Sequence, residues 1–241
     1  MANILGRRFC LQQRIAGRAV WSGASNIARG VPLTAEGTFY LPFFTNFRIH
    51  GNVGLLDWYT VPMALFCVLI LTAHGATYLT MKTEGAVHER SVKLARRLWV
   101  AVIPAFFLIT LLTWSVRPEL LQGIVFRPLA WLTLVICGAS AYAIFTSISQ
   151  QRERLALLGS TFLLFGLLMT GAAALFPVML FSTTEPARRL TAADCAAPDA
   201  SLIIGTAWWV PALILAFGYL YVIQRHYAGK VNVSKDNQGL Y

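Results

Sequence analysis

Charged residues fall along this chain in clusters, and between the clusters lie five stretches of about 20 residues or more with no Asp, Glu, Lys or Arg. They are Trp58 to Met81, Leu98 to Val116, Pro128 to Gln151, Leu155 to Thr184 and Ala200 to Gln224. Each is long enough to cross the hydrocarbon core of a bilayer as a helix, because about 20 residues at a rise of about 1.5 Å span some 30 Å. The pattern predicts an all-α integral membrane protein, with a five-helix membrane domain over residues 58–226. A basic, poorly ordered segment covers 1–30, an external connecting segment 31–57 and a tail 227–241. Trp58, Tyr59, Trp99, Trp114, Trp131, Trp208, Trp209 and Tyr221 lie toward the ends of the stretches, where amphipathic rings anchor in the headgroup layer. Small residues at Gly138 to Ala141 and Gly171 to Ala174 predict close helix contacts, and Pro104 and Pro211 predict local kinks.

Composition agrees: 57% of residues are hydrophobic and 12% charged, too few polar groups for a water-facing shell. The net charge of +10 lies in loops between apolar stretches, so it indicates membrane orientation and not nucleic-acid binding. Lys82, Arg90, Lys93, Arg96, Arg97, Arg152, Arg154, Arg225, Lys230 and Lys235 share one side, which the positive-inside rule makes cytoplasmic, with the carboxyl terminus. Arg7, Arg8, Arg14, Arg18 and Arg29 precede a segment assigned to the outside, against that rule, and suggest an atypical start to the chain. Cys10, Cys67, Cys137 and Cys195 show no CxxC spacing and indicate neither a disulfide framework nor a zinc site.

The candidate chemistry is sparse. His74 is the one histidine within the stretches, while His50 and His88 are placed in loops, so the chain offers no facing pair of haem ligands. His74 is read as a hydrogen-bonded packing residue, a proton-path residue, or a lone ligand completed by another subunit. Asp57 suits a solvated helix start, where a carboxylate meets the positive end of the dipole; a proton or headgroup site is the alternative. Lys82 and Glu84 suit a solvated helix exit. Phe176-Pro177 predicts a broken helix end, with Ser182 and Thr183 placed to bond the freed carbonyls.

Irregular sequences at the helix ends carry more information. Gly30-Val31-Pro32-Leu33, Leu41-Pro42 and Thr45-Asn46-Phe47-Arg48 lead through Gly54-Leu55-Leu56-Asp57-Trp58-Tyr59-Thr60 into the first stretch. It closes with His74-Gly75-Ala76-Thr77-Tyr78-Leu79 and Lys82-Thr83-Glu84-Gly85. Phe176-Pro177-Val178-Met179-Leu180, Ser182-Thr183, Leu190-Thr191, Asp194-Cys195-Ala196-Ala197 and Gly229-Lys230-Val231 follow. From about residue 22 to 241, this order and spacing resemble subunit II of the cytochrome bd-type quinol oxidases, including the cyanide-insensitive branch. The resemblance implies the last five helices of a nine-helix subunit, with Ser22 to Arg29 resembling the end of the fourth. It thus implies a split, frame-shifted or incomplete chain, and residues 1–21 match nothing recognisable.

By the same resemblance the partner is a haem-bearing subunit I, which carries two b-type haems and haem d. The complex oxidises quinol and reduces oxygen to water in a bacterial inner membrane. This chain is then a non-catalytic, non-haem-ligating member of a heterodimer, in contact with lipid and in some members with a bound quinone. Asp57, Trp58 and His74 are its proton-path or quinone-adjacent candidates. A membrane remnant or split-subunit scaffold without an oxidase is the alternative, and a small transporter ranks last, since the stretches lack midplane charges.

Overall fold

A computed structural model describes residues 26–32, 42–45, 47, 53–183, 189–227 and 229–230. The predictions made for residues 1–25 and 231–241, and for His50 and Arg48, lie outside these. The elements run α1 (Thr60–Lys82), α2 (Gly85–Val116), α3 (Pro118–Val125), α4 (Pro128–Ser149), α5 (Glu153–Leu175), β1 (Val178–Leu180), β2 (Leu190–Thr191) and α6 (Asp199–His226), with a helical turn at 26–29 ahead of them. Five of the helices, α1, α2, α4, α5 and α6, are long and apolar enough to cross a membrane. The chain is an all-α integral membrane protein.

The helix ends follow local chemistry. Lys82 in the last turn of α1, and Arg225 and His226 in that of α6, complement the negative dipole end; Glu119, Glu153 and Asp199 occupy first turns. Phe176 leaves helical geometry at φ −55°, ψ 139°, which the following Pro177 favours, and so α5 stops at Leu175 although the apolar stretch runs on to Thr184. Val178–Leu180 forms β1, paired antiparallel with β2.

Two expectations are corrected. The basic segment Lys82 to Arg97 is mostly helix: α2 begins at Gly85, so His88 is helical and not in a loop. The charges mark where the helix leaves hydrocarbon, not where it ends; Arg90, Lys93, Arg96 and Arg97 are exposed while Ser91 and Ala95 on the opposite face are buried. Within the amino-terminal segment, Asn26, Arg29 and Gly30 are buried. Trp99 is not an interfacial anchor. It is 2% exposed in the core, beside Ile70, Ala73 and Ala76 of α1, Ala95 and Val102 of α2, Ile144 of α4 and Leu163 of α5.

The core thus belongs to α1, α2, α4 and α5, and no residue of α6 is buried. An apolar helix needs no protein neighbour in lipid, since all its backbone groups bond internally. Lys82 Nζ donates to the Tyr227 carbonyl at 2.8 Å, and Lys230 pairs with Glu153 at 2.7 Å, tying the end of α6 to the ends of α1 and α5. Lys82 therefore does not pair with Glu84, which is exposed. Both Pro104 and Pro211 lie inside unbroken helices.

Close approach of α4 and α5 rests on glycines other than those the small-residue runs pointed to. A Cβ on Gly166 would lie 2.7 Å from Cys137 Sγ, and one on Gly159 3.2 Å from Ile144 Cγ1, whereas Gly138 and Gly171 have open space. Thr170 Oγ1 donates to Thr133 Oγ1 at 2.8 Å across the same seam. Gly166→Leu is expected to destabilise the protein by about 1–3 kcal/mol through overpacking. Gly171→Leu should change it by less than about 0.5 kcal/mol; thermal inactivation of the purified protein compares the two.

Candidate functional site

Asp57 and Trp58 precede α1, and His74 is 14 residues beyond its first residue, Thr60, so about 21 Å of helix axis lies between. Asp57 and Trp58 thus lie at one end, the Asp57 end, while His74 lies inside α1, nearer a basic end that carries Lys82, Arg90, Lys93, Arg152 and Lys230.

At the Asp57 end, Asp57 is 1% exposed and its Oδ2 is ion-paired with Nη1 of Arg29, itself 4% exposed. The solvated helix start is thus corrected. The carboxylate does cap the helix, since Oδ1 accepts the backbone N–H of Tyr59 at 2.9 Å and of Thr60 at 3.1 Å. Thr60 Oγ1 accepts the Asp57 N–H at 2.8 Å and donates to the Leu55 carbonyl at 3.0 Å, closing a reciprocal box. The Arg29 guanidinium lies 5.8 Å from the centroid of the Trp58 ring, and the buried Trp58 indole N–H has no partner among the described residues. Tyr59, 1% exposed, shares a 3.0 Å hydrogen bond with Thr113 of α2.

A second arginine holds the first. Arg117 Nε and Nη2 donate to the Arg29 carbonyl at 3.2 and 3.1 Å, Nη2 also reaches the Ser182 carbonyl at 3.4 Å, and the guanidinium covers the Phe181 ring at 4.6 Å. Gly30, at φ +94°, permits this approach, because a Cβ there would lie 2.8 Å from both Arg117 Nη2 and the Phe181 carbonyl. Val31 bonds along Phe181 to Thr183, donating to the Phe181 carbonyl at 2.9 Å and accepting the Thr183 N–H at 3.0 Å. Burial lowers the pKa of both arginines from the ordinary guanidinium value. At the end of α5, Arg127 Nη1 donates to the Ala173 and Ala174 carbonyls. That arginine bonds carbonyls of the broken helix end. The sequence singled out none of Arg29, Arg117 and Arg127 as site residues; the Gly after Arg29 and the prolines after the other two were the available signals of helix ends.

His74 lies on α1 and meets α5. Its Nδ1 is 2.8 Å from Ser160 Oγ, and the Ser160 hydroxyl donates to the Leu157 carbonyl at 2.8 Å. The contact joins α1 to α5, and its donor is set by the tautomer of His74. Toward the basic end, Trp99 Nε1 donates to Thr77 Oγ1 at 2.9 Å, and His88 Nδ1 donates to the Thr80 carbonyl at 3.0 Å. His88 also lies 3.6 Å from Glu153. Among the described residues, no group of three or more His, Cys, Asp or Glu is placed to hold a metal ion.

Five helices long and apolar enough to cross a membrane define a multi-pass membrane protein. No curated relative matches the chain. The model of the family "cytochrome bd terminal oxidase subunit II" matches residues 14–225, beginning ahead of residue 22, and the chain belongs to that family. The family is part of an oxidoreductase complex and implies association with a partner oxidase subunit.

Proposed function

We propose that the chain is the subunit II component of a bacterial inner-membrane respiratory oxidase that oxidises quinol and reduces oxygen to water. In this reading subunit I holds two b-type haems and haem d, and this chain supplies helices that complete the heterodimer. The observation that carries the proposal is the family match over residues 14–225. The charge distribution supports placing the basic end and the carboxyl terminus in the cytoplasm. The indole N–H of Trp58, without a partner among the described residues, would suit a quinone carbonyl. Resistance to cyanide would follow from the partner's haem chemistry, not from residues here.

The test is to tag the carboxyl terminus in native membranes, purify gently, and record the reduced-minus-oxidised spectrum together with quinol-oxidase turnover. Co-purification of b-type and d-type haem bands with turnover is the expected result. Material without haem would leave family membership in place and overturn the oxidase activity, favouring a scaffold or remnant.

A further inference from the structure

The four core helices pair unevenly. α1 packs along α2 and α4 along α5, the two pairs meet where α1 touches α5, and α2 and α4 barely touch. A seam is left between α2 and α4, and two cavities lie along it. One, of about 260 Å³, is at the basic end, lined by Glu89 and Lys93 of α2 and by Ser147, Ile148 and Gln151 at the close of α4. The other, of about 420 Å³, lies deeper, lined by Ile103 and Phe107 of α2 and by Leu134, Gly138 and Ala141 of α4. From Ala95 in the first to Val102 in the second, as from Ile148 to Ala141, is only about 10 Å of helix axis.

The two cavities differ in chemistry. The deep one is apolar, and Gly138 opens it, since a Cβ there would meet nothing within 4 Å. Ile103 is 45% exposed and Phe107 62%, so no side chain of this chain closes the groove. Phe107 is also the middle residue of the uncharged stretch Leu98 to Val116. It lies about 14 Å from Leu98, close to half of a hydrocarbon core of about 30 Å. The groove therefore ends at the depth that an acyl chain of one leaflet reaches.

The cavity at the basic end carries both signs of charge. His88 is bonded to the Thr80 carbonyl and Glu153 is paired with Lys230. Glu89 and Lys93, one turn apart on α2 and both exposed, have no polar partner among the described residues. Arg90, Arg96 and Arg97 lie outside the lining. What the cavity presents is thus a free cation beside a free carboxylate, the complement of a head group with a phosphate and an ammonium, not of one with a net negative charge.

We infer that the seam between α2 and α4 binds one aminophospholipid of the leaflet at the basic end. Its phosphate lies at Lys93, its primary ammonium at Glu89, and one acyl chain along Ile103, Phe107 and Gly138. Lipid tails enter any apolar seam that faces a bilayer; the two charges at the mouth of this one select the head group. The chain supplies the contacts that α2 and α4 do not make with each other. The inference needs these helices to cross a membrane but not the oxidase reading, and its test measures neither haem nor turnover, so the two fail separately.

The tagged protein, purified with its partners, is placed in nanodiscs of equimolar phosphatidylethanolamine and phosphatidylglycerol, and the lipid it retains on release is counted by native mass spectrometry. The expected result is one tightly held phosphatidylethanolamine, preferred about fivefold or more. It should be lost in Gly138→Trp, whose indole fills the groove, and kept in Gly171→Trp, where the space is equally open but belongs to α5 outside the seam. Glu89→Gln combined with Lys93→Gln should retain a lipid without the preference. An equal count in the unsubstituted protein and Gly138→Trp overturns the seam as the site. A preference for phosphatidylglycerol, or none, overturns the aminophospholipid, and a quinone held in its place overturns a lipid occupant. A preference unchanged in the Glu89 and Lys93 double variant overturns the head-group assignment, and that arm decides alone if Gly138→Trp fails to assemble.

Discussion

Asp57→Ala is expected to destabilise the protein by about 3–5 kcal/mol, because it leaves the Arg29 guanidinium buried without its counter-ion. Arg29 is 4% exposed and Asp57 1%, so solvent cannot rescue either partner. The carboxylate has a second task, accepting the N–H groups of Tyr59 and Thr60 at the start of α1, and losing such a cap costs about 1 kcal/mol. Asp57→Asn separates the two contributions: its amide oxygen can still cap, but the charge pair is gone. We expect Asp57→Asn to be less damaging than Asp57→Ala by about 1 kcal/mol. Combining it with Arg29→Met should recover much of the loss, since a buried pair replaced by uncharged groups of similar size is often close to neutral. Thermal inactivation of the purified protein provides the double-mutant comparison. A stable Asp57→Asn protein with lost activity would instead make the carboxylate a functional group.

Trp99→Ala is the second substitution with a large expected effect, about 3 kcal/mol of destabilisation. The indole fills the centre of the core and donates to Thr77 Oγ1 at 2.9 Å, joining α2 to α1. Phe or Trp truncation in a core costs about 3–5 kcal/mol, and the lower end applies because lipid already offers an apolar environment to the separated helices. What is lost is mostly packing contact and one hydrogen bond, not transfer from water. Trp99→Phe should lose about 1–2 kcal/mol, retaining most of the volume but not the donor. Trp114, 57% exposed near the other end of α2, is the comparison: Trp114→Ala should change stability by less than about 1 kcal/mol. Equal effects at the two positions would return Trp99 to the role of a headgroup anchor.

These two sites show why part of the arrangement escaped a reading of the chain alone. Asp57 beside Trp58 and Tyr59 has the appearance of a wet helix start, and nothing local reveals that Arg29, separated by a long connection, will cover it. Trp99 follows Arg96, Arg97 and Leu98, so its neighbours in sequence place it at an interface. Its position in the core follows from α2 beginning 13 residues before the uncharged stretch Leu98 to Val116, and from Thr77 of α1 meeting its indole. Asp57, Trp58 and His74 were named from the sequence as one loose set of candidates; the fold puts Asp57 and Trp58 ahead of α1 and His74 within it, and places Arg29 against Asp57 and Ser160 against His74.

By itself, the sequence determined that the chain spans a membrane and where its five spans lie. Those properties depend on the solvation of some 20 consecutive side chains and backbone groups, which each segment settles locally. Its motifs also sufficed to indicate the oxidase subunit II family. The tertiary structure alone decided which charges are buried together, which glycines let α4 and α5 touch, and that four spans share a core while α6 contributes no buried residue. Lipid is as apolar as a helix surface, so hydrophobicity places every span without telling one from another. Partner choice falls to shape and to a few polar contacts between residues distant in sequence.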